Sequence, residues 1–209
     1  MKAKIFLLGD SISLHYNPYL IPATSDRYEW ETKKGRAEAM KDLDVPVDAN
    51  GGTSAQVLAF LRDEEARGAL HYDVLLFNCG LHDIAVDAGK TTSRVSPGDY
   101  HKNLNDILDL VTSHGIRPIW VTTTPVIDEI HNTRSKMHRY NENVLLYNAI
   151  AKEVMKSRKI SSIDLYSFTV ALGDGEKYAD HVHFAEDVRQ KQATFIEQEL
   201  DALLLYCDS

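Results

Sequence analysis

The sequence predicts an α/β fold in which a parallel sheet is covered by helices on both faces. Apolar runs of strand length, such as IFLL at 5–8 and DVLLFN at 73–78, are continuous rather than alternating. Strands buried on both faces read this way. These runs interleave with segments of helical period, the pattern of repeated strand–helix–strand units. The length of 209 residues suits one domain, 1–209, with a sizeable core.

The first strand spans 4–8 and ends at Gly9-Asp10-Ser11-Ile12-Ser13. Asp10 and Ser11 can open a helix, because their side-chain oxygens accept the orphan N–H groups of a helix start. Equally, a serine at the carboxyl end of a central strand can be a nucleophile. The stretch TKKGR at 32–36 reads as a solvated helix face, and a second, weaker strand is placed at 45–49, ended by Asn50-Gly51-Gly52. Residues 53–67 place Val57, Leu58 and Leu61 on one side of a helix. A buried strand follows at 73–78, then a helix at 100–114 with Leu104, Ile107, Leu108 and Val111 on one side. The fourth strand is 116–122, ended by Thr123-Thr124-Pro125, and a long helix covers 141–157. A short strand at 160–164 and a closing helix at 185–205 complete the chain. The irregular segments 82–98 and 126–140 each follow a strand. Both therefore fall over the carboxyl edge of the sheet, where open α/β folds bind ligands.

Composition narrows the function. The net charge is −8, from 23 basic and 31 acidic residues, and no long Lys/Arg cluster interrupts it, which argues against nucleic acid or an anionic membrane as partner. The start, MKAKIFLLGD, carries too short an apolar run for a secretory signal, which needs roughly 7–15 apolar residues. No stretch approaches the ~18 apolar residues of a membrane span. Cys79 and Cys207 make no disulfide framework, so a cytoplasmic location is the expectation.

Near the other end lies YADHVHF at 178–184, with Asp180 and His183 three residues apart. In a turn, that spacing brings both side chains to one side. A carboxylate at His183 Nδ1 fixes the tautomer and leaves Nε2 to take a proton from a serine. Asp180 can instead cap the last helix, with His183 as filler. Ester chemistry also needs donors for a developing oxyanion. Asn50-Gly51-Gly52-Thr53-Ser54 and Asn78-Cys79-Gly80-Leu81-His82-Asp83 supply candidates at two strand ends, since a glycine lets backbone N–H approach a substrate closely.

Taken in order, Gly9-Asp10-Ser11, Gly51, Gly80-Leu81-His82-Asp83 and Asp180-His181-Val182-His183 resemble the four blocks of the SGNH (GDSL-type) hydrolases. Thr122-Thr123-Thr124-Pro125-Val126, Tyr147-Asn148-Ala149 and Ile163-Asp164-Leu165 look like further family segments, so the resemblance runs nearly end to end. It implies a flavodoxin-like three-layer α/β/α sandwich with a five-stranded sheet in the order 2-1-3-4-5, esterase-type acyl transfer and no cofactor. It further implies Ser11 as nucleophile, His183 as base and Asp180 as its orienter. The backbone N–H groups of Ser11 and Gly51 would be oxyanion donors, with Gly52 as the alternative second-block glycine. One position departs from the family's Gly-x-Asn-Asp block: His82 stands where an Asn amide usually donates. A neutral imidazole carries one N–H and can take that role; Asn78 is a further candidate, though it falls in the strand. Asp10 reads as a structural hydrogen-bonder and Asp83 as a loop brace.

Other chemistries fit less well. Gly-x-Ser-x-Ser lacks the second glycine of the nucleophile elbow, and nothing matches a phosphate-binding or dinucleotide loop. His181 and His183 with Asp180 and His82 lack the spacing of a zinc site, so no metal is expected. His15, Tyr16, Tyr19, His131, His138 and Tyr140 give the rim an aromatic and polar character. The expected substrate is accordingly a small-molecule ester, a short acyl group on a polar or carbohydrate-like alcohol, with Asp10, Gly52, Asn78, His15 and Tyr16 as candidate contacts. The alternatives are a lysophospholipase or thioesterase, and a catalytically silent binding protein on the same scaffold. The polar segment 126–140 is a candidate lid.

Overall fold

Hydrophobic continuity decides the centre of the sheet. In the computed structural model, which describes residues 2–134, 137–173 and 177–205, β1 (Ala3–Leu8) and β3 (Val74–Phe77) carry uninterrupted buried side chains from Ile5 to Leu8 and from Val74 to Phe77. They pair in parallel with each other, and β4 (Arg117–Val121) and β5 (Ser161–Ile163) extend the sheet on one side. On the other side lies β2, so the order is β2-β1-β3-β4-β5, as the family resemblance implies.

The identity of β2 corrects the sequence reading. It is Tyr28–Thr32, YEWET, not 45–49. Pro46 lacks the N–H a ladder needs, and Val45 and Val47 are exposed in a loop. Tyr28–Thr32 hides as a strand because it lies at the sheet edge, where only Tyr28 is buried and Glu29 and Glu31 face outward; charged side chains also discourage pairing with a further strand. The stretch at 32–36 is likewise no helix face: Thr32 ends β2, and Gly35, at φ 85°, turns the chain into the short helix α2 (Arg36–Ala39).

Helices cover both faces. α1 (Ser11–Thr24) packs with α8 (Glu186–Leu205) and α8 with α7 (Leu165–Ala171), while α3 (Ser54–Ala66), α4 (Pro97–Ser113) and α6 (Asn141–Ser157) pack in sequence. α1 forms although Pro18 and Pro22 lie within it, each removing an N–H from the helix ladder. Burial of Ile12, Tyr16 and Leu20 in the core compensates; these recur every four residues, along one helix face. α3 opens with a capping box between Thr53 and Gln56, and α4 with Ser96 as cap and Pro97 in its first turn. The segment 126–140 contains α5 (Asp128–Arg134), while Ser135 and Lys136, within the candidate lid, lie outside the described residues, as does Cys207. Among the described residues no helix is long and apolar enough to cross a membrane.

One polar tie fixes the loop after β3 against α3. The buried Asp83 carboxylate accepts the Ser54 N–H at 2.9 and 3.0 Å and the Ser54 hydroxyl, and Asn103 Nδ2 donates to the same hydroxyl at 2.9 Å. Asp83→Ala leaves a buried N–H without an acceptor. Urea unfolding should show a loss of about 1–3 kcal/mol, and a change under about 0.5 kcal/mol would refute this bracing role.

Candidate active site

The carboxyl ends of β1 and β3 meet the 177–185 turn at one edge of the sheet. After β1, Asp10 caps α1: its Oδ1 accepts the Ile12 N–H at 3.0 Å, and its carbonyl accepts the Ser13 hydroxyl at 2.7 Å. Ser11 is thereby the first helical residue. Its N–H is one of the orphan donors of a helix start, at the positive end of the helix dipole, and no acceptor for it exists among the described residues. Gly51 and Gly80 shape the neighbouring turns. A Cβ on Gly51 would stand 3.0 Å from the Gly9 carbonyl, and Gly80, at φ 157°, lies against Thr123.

The 177–185 turn closes on itself through Ala179 N–H to His183 carbonyl and Ala185 N–H to Lys177 carbonyl, both 2.8 Å. Asp180 Oδ1 accepts the N–H groups of Val182 and His183 at 2.8 Å each, so its Oδ2 is presented to His183 Nδ1 at 2.7 Å. His183 Nε2 lies 2.9 Å from Ser11 Oγ. An ionised carboxylate at Nδ1 holds the ring proton there, leaving Nε2 to accept from the Ser11 hydroxyl. Burial pushes the Asp180 carboxyl up, but the hydrogen bonds from the His183 ring and the His183 and Val182 backbone outweigh it and hold it well below the carboxylate range. The three residues read from opposite ends of the sequence thus form one continuous relay.

The remaining candidates divide. His15, one helical turn beyond Ser11, sets its ring edge against His183 at 4.9 Å; burial, then the neighbouring His183, lowers its pKa to about 3, so it is neutral. Tyr16 faces the core rather than the rim, on the Ile12–Leu20 stripe, and His131 is likewise buried rather than on the rim surface. Asn78 Nδ2 is committed to the Val121 carbonyl at 2.7 Å, so its amide does not replace the missing family Asn. The second-block glycines also differ from expectation: Gly51 N–H already donates to the Gly9 carbonyl at 2.8 Å, and Gly52 N–H to Asn50 Oδ1 at 3.0 Å. His82 is also buried. Burial first, then the Arg139 and Arg94 guanidiniums and His183, push its pKa far below the ordinary histidine value. It is a neutral imidazole, and its buried Nδ1 has no hydrogen-bond partner among the described residues. Asp10 Oδ2 is also buried without a partner, and burial raises its pKa.

Sequence reasoning missed a second polar cluster. Arg139 donates from Nε to the Leu81 carbonyl at 2.7 Å and from Nη1 to Asp44 Oδ1 at 3.2 Å. Asp44 Oδ2 faces His181 Nε2 at 3.3 Å, and His181 Nδ1 lies 2.8 Å from His131 Nδ1. His181 therefore points away from Ser11, as its alternation with His183 predicts.

The family model for GDSL-like lipase/acylhydrolase matches residues 5–196. A lipase/acylhydrolase from Enterococcus faecalis is 17% identical over 97% of both chains, with a TM-score of 0.70. A GDSL-like lipase from Bacteroides thetaiotaomicron is 16% identical over 97% of this chain and 89% of that one, with a TM-score of 0.71. The acetyl xylan esterase AlAXEase is 15% identical over 93% of this chain and 98% of its own, with a TM-score of 0.68. These likenesses establish the shared fold. No curated protein matches the sequence significantly.

The depressed Asp180 pKa has a consequence for stability. Unfolded, the group titrates near ~3.9; folded, it titrates lower. Its contribution is present above about pH 4 and lost as pH falls toward the folded value. Asp180→Asn should lower the urea midpoint most at pH 6, with the gap to wild type narrowing from pH 5 to pH 3. A gap that stays constant or widens on acidification would contradict the assignment.

Proposed function

The chain belongs to the GDSL-like lipase/acylhydrolase family, and from that premise we propose that it is a serine esterase acting on short acyl groups. The observation that carries the proposal is the Asp180–His183–Ser11 relay, with contacts of 2.7 and 2.9 Å. Ser11 Oγ attacks the ester carbonyl while His183 Nε2 takes its proton. Asp180 stabilises the imidazolium, which then protonates the leaving alcohol. Water, deprotonated by His183, releases the acyl group from Ser11 by the same route.

The oxyanion of each tetrahedral intermediate is received by the Ser11 N–H and by His82. The first lies at the positive end of α1. The second is a buried neutral imidazole whose Nδ1 has no partner among the described residues, and a substrate oxygen relieves that unsatisfied donor. Gly51 holds the Gly9 carbonyl and joins the oxyanion site only by sharing its N–H. Its packing on Gly9 keeps the nucleophile turn in place.

Two features favour a small acyl group. Ser11 is 4% exposed and His183 2%, leaving little room at the nucleophile, and the neighbours His15 and His82 are polar rather than an apolar strip. An open pocket of about 820 Å³, whose lining includes Thr91, Thr92, Ser93, Arg94, His138 and Tyr140 but neither Ser11 nor His183, lies in the loops that follow β3 and β4. Its hydroxyls and aromatic edges suit a polar, carbohydrate-like alcohol. The fold relative that is an acetyl xylan esterase agrees with this reading.

Hydrolysis of p-nitrophenyl acetate and p-nitrophenyl octanoate tests the proposal. Wild type should favour the acetate by at least about tenfold in kcat/KM, one methylene being worth roughly 10-fold or more in a fitted pocket. Ser11→Ala should abolish turnover, and His82→Ala should lower kcat by about 10²–10³. Preference for the octanoate would overturn the short-acyl reading. A His82→Ala enzyme within a few-fold of wild type would remove His82 from the oxyanion site.

A further inference from the structure

Arg139 is 2% exposed, and its guanidinium joins two other segments, at Leu81 and Asp44. Its own segment is pinned: Arg139 N–H donates to Asn132 Oδ1 at 3.0 Å, and His138 exchanges backbone hydrogen bonds of 2.8 and 2.9 Å with Val86. From there Nε reaches the carbonyl of Leu81, the residue before His82, and Nη1 reaches Asp44, in the loop that runs into the Asn50–Gly51–Gly52 turn. Asp44 is in turn held by His181, two residues from the catalytic imidazole. A buried guanidinium with one partly exposed carboxylate partner is a poor device for stability alone, since an apolar side chain of similar volume serves as well or better. Its fixed fork, in contrast, can hold two acceptors in one geometry.

We propose that Arg139 is a positioning residue for the oxyanion site: by clamping the Leu81 carbonyl and Asp44 together, it sets the His82 ring relative to the Ser11 N–H. The proposal rests on the reading of His82 as an oxyanion donor. The charged groups around the pair agree with the assignment. Arg139 faces Asp44, Asp10 and Arg94, while His82 faces Arg139, Arg94 and His183. Burial and the Arg139 charge together keep His82 neutral, so that it does not become a second imidazolium beside the one forming on His183.

A double-mutant cycle on p-nitrophenyl acetate hydrolysis, with urea unfolding of each variant, tests the inference. Arg139→Lys keeps the charge but loses the fork. It should lower kcat by about 10–100-fold, the scale of a roughly 1 Å displacement of a catalytic group, with KM within threefold of wild type. In the His82→Ala background the same substitution should change kcat less than twofold, because its effect passes through His82. An equal loss in both backgrounds, or none in wild type, would overturn the proposal while leaving His82 in its role. A His82→Ala enzyme as active as wild type would instead overturn both readings. If Arg139→Lys does not fold, Asp44→Asn is read in the same cycle. It weakens one arm of the clamp and should give a smaller kcat loss that again vanishes in the His82→Ala background; a loss that persists there counts against the proposal.

Discussion

The hydrogen bond between His183 Nε2 and Ser11 Oγ joins residues 172 positions apart, and the rest of the structure is arranged to make it. Neither residue reaches the other through local geometry. Ser11 is set by the end of β1 and the Asp10 cap of α1, while His183 is set by a turn closed on Asp180 and leading into α8. Packing of α1 against α8 brings the two turns together. Anything that shifts α1 against α8 therefore separates Ser11 Oγ from His183 Nε2.

Around that contact the molecule accepts polar burial that a core would ordinarily exclude. Asp10 Oδ2, His15 Nδ1, His82 Nδ1 and His131 Nε2 are buried without partners among the described residues, and each such group costs about 1–3 kcal/mol. Burial raises Asp83 to about pH 7 and lowers His131 to about pH 4. The continuous apolar strands β1, β3 and β4 and the helix faces packed on them offset these costs. Tyr72, Trp120 and Gln192 also bury unpartnered polar atoms, but at the carboxyl edge such atoms gather on Asp10, His15 and His82 around the Ser11–His183 contact.

Much of this was legible from residue order. The four apolar strands at 4–8, 73–78, 116–122 and 160–164 fall within one residue of β1, β3, β4 and β5 at each end, because burial on both faces writes itself as an unbroken apolar run. Asp180 and His183 were legible because their interaction is local, three residues apart. The second strand was not, since an edge strand with one buried side chain carries almost no pattern. The start of α1 was legible in Asp10 and Ser11, but its extent was not, since Pro18 and Pro22 lower helical propensity where tertiary packing overrides it. The Arg139–Asp44 clamp left no trace at all. Its partners are 95 residues apart, and a charged residue in a polar loop reads as solvated until the fold buries it. The engagement of Gly51 N–H with the Gly9 carbonyl was equally invisible, because a glycine's backbone partner depends on which turn lies opposite.

The central claim is that the Asp180–His183 pair makes the Ser11 hydroxyl nucleophilic. Intact-mass analysis after treatment with a fluorophosphonate, which reacts with activated serines, tests it most directly. The account predicts a single adduct on Ser11, and a labelling rate that falls by at least about 10³-fold in His183→Ala, the scale expected when the base of such a relay is lost. An unmodified Ser11, or the same labelling rate without the histidine, would contradict it.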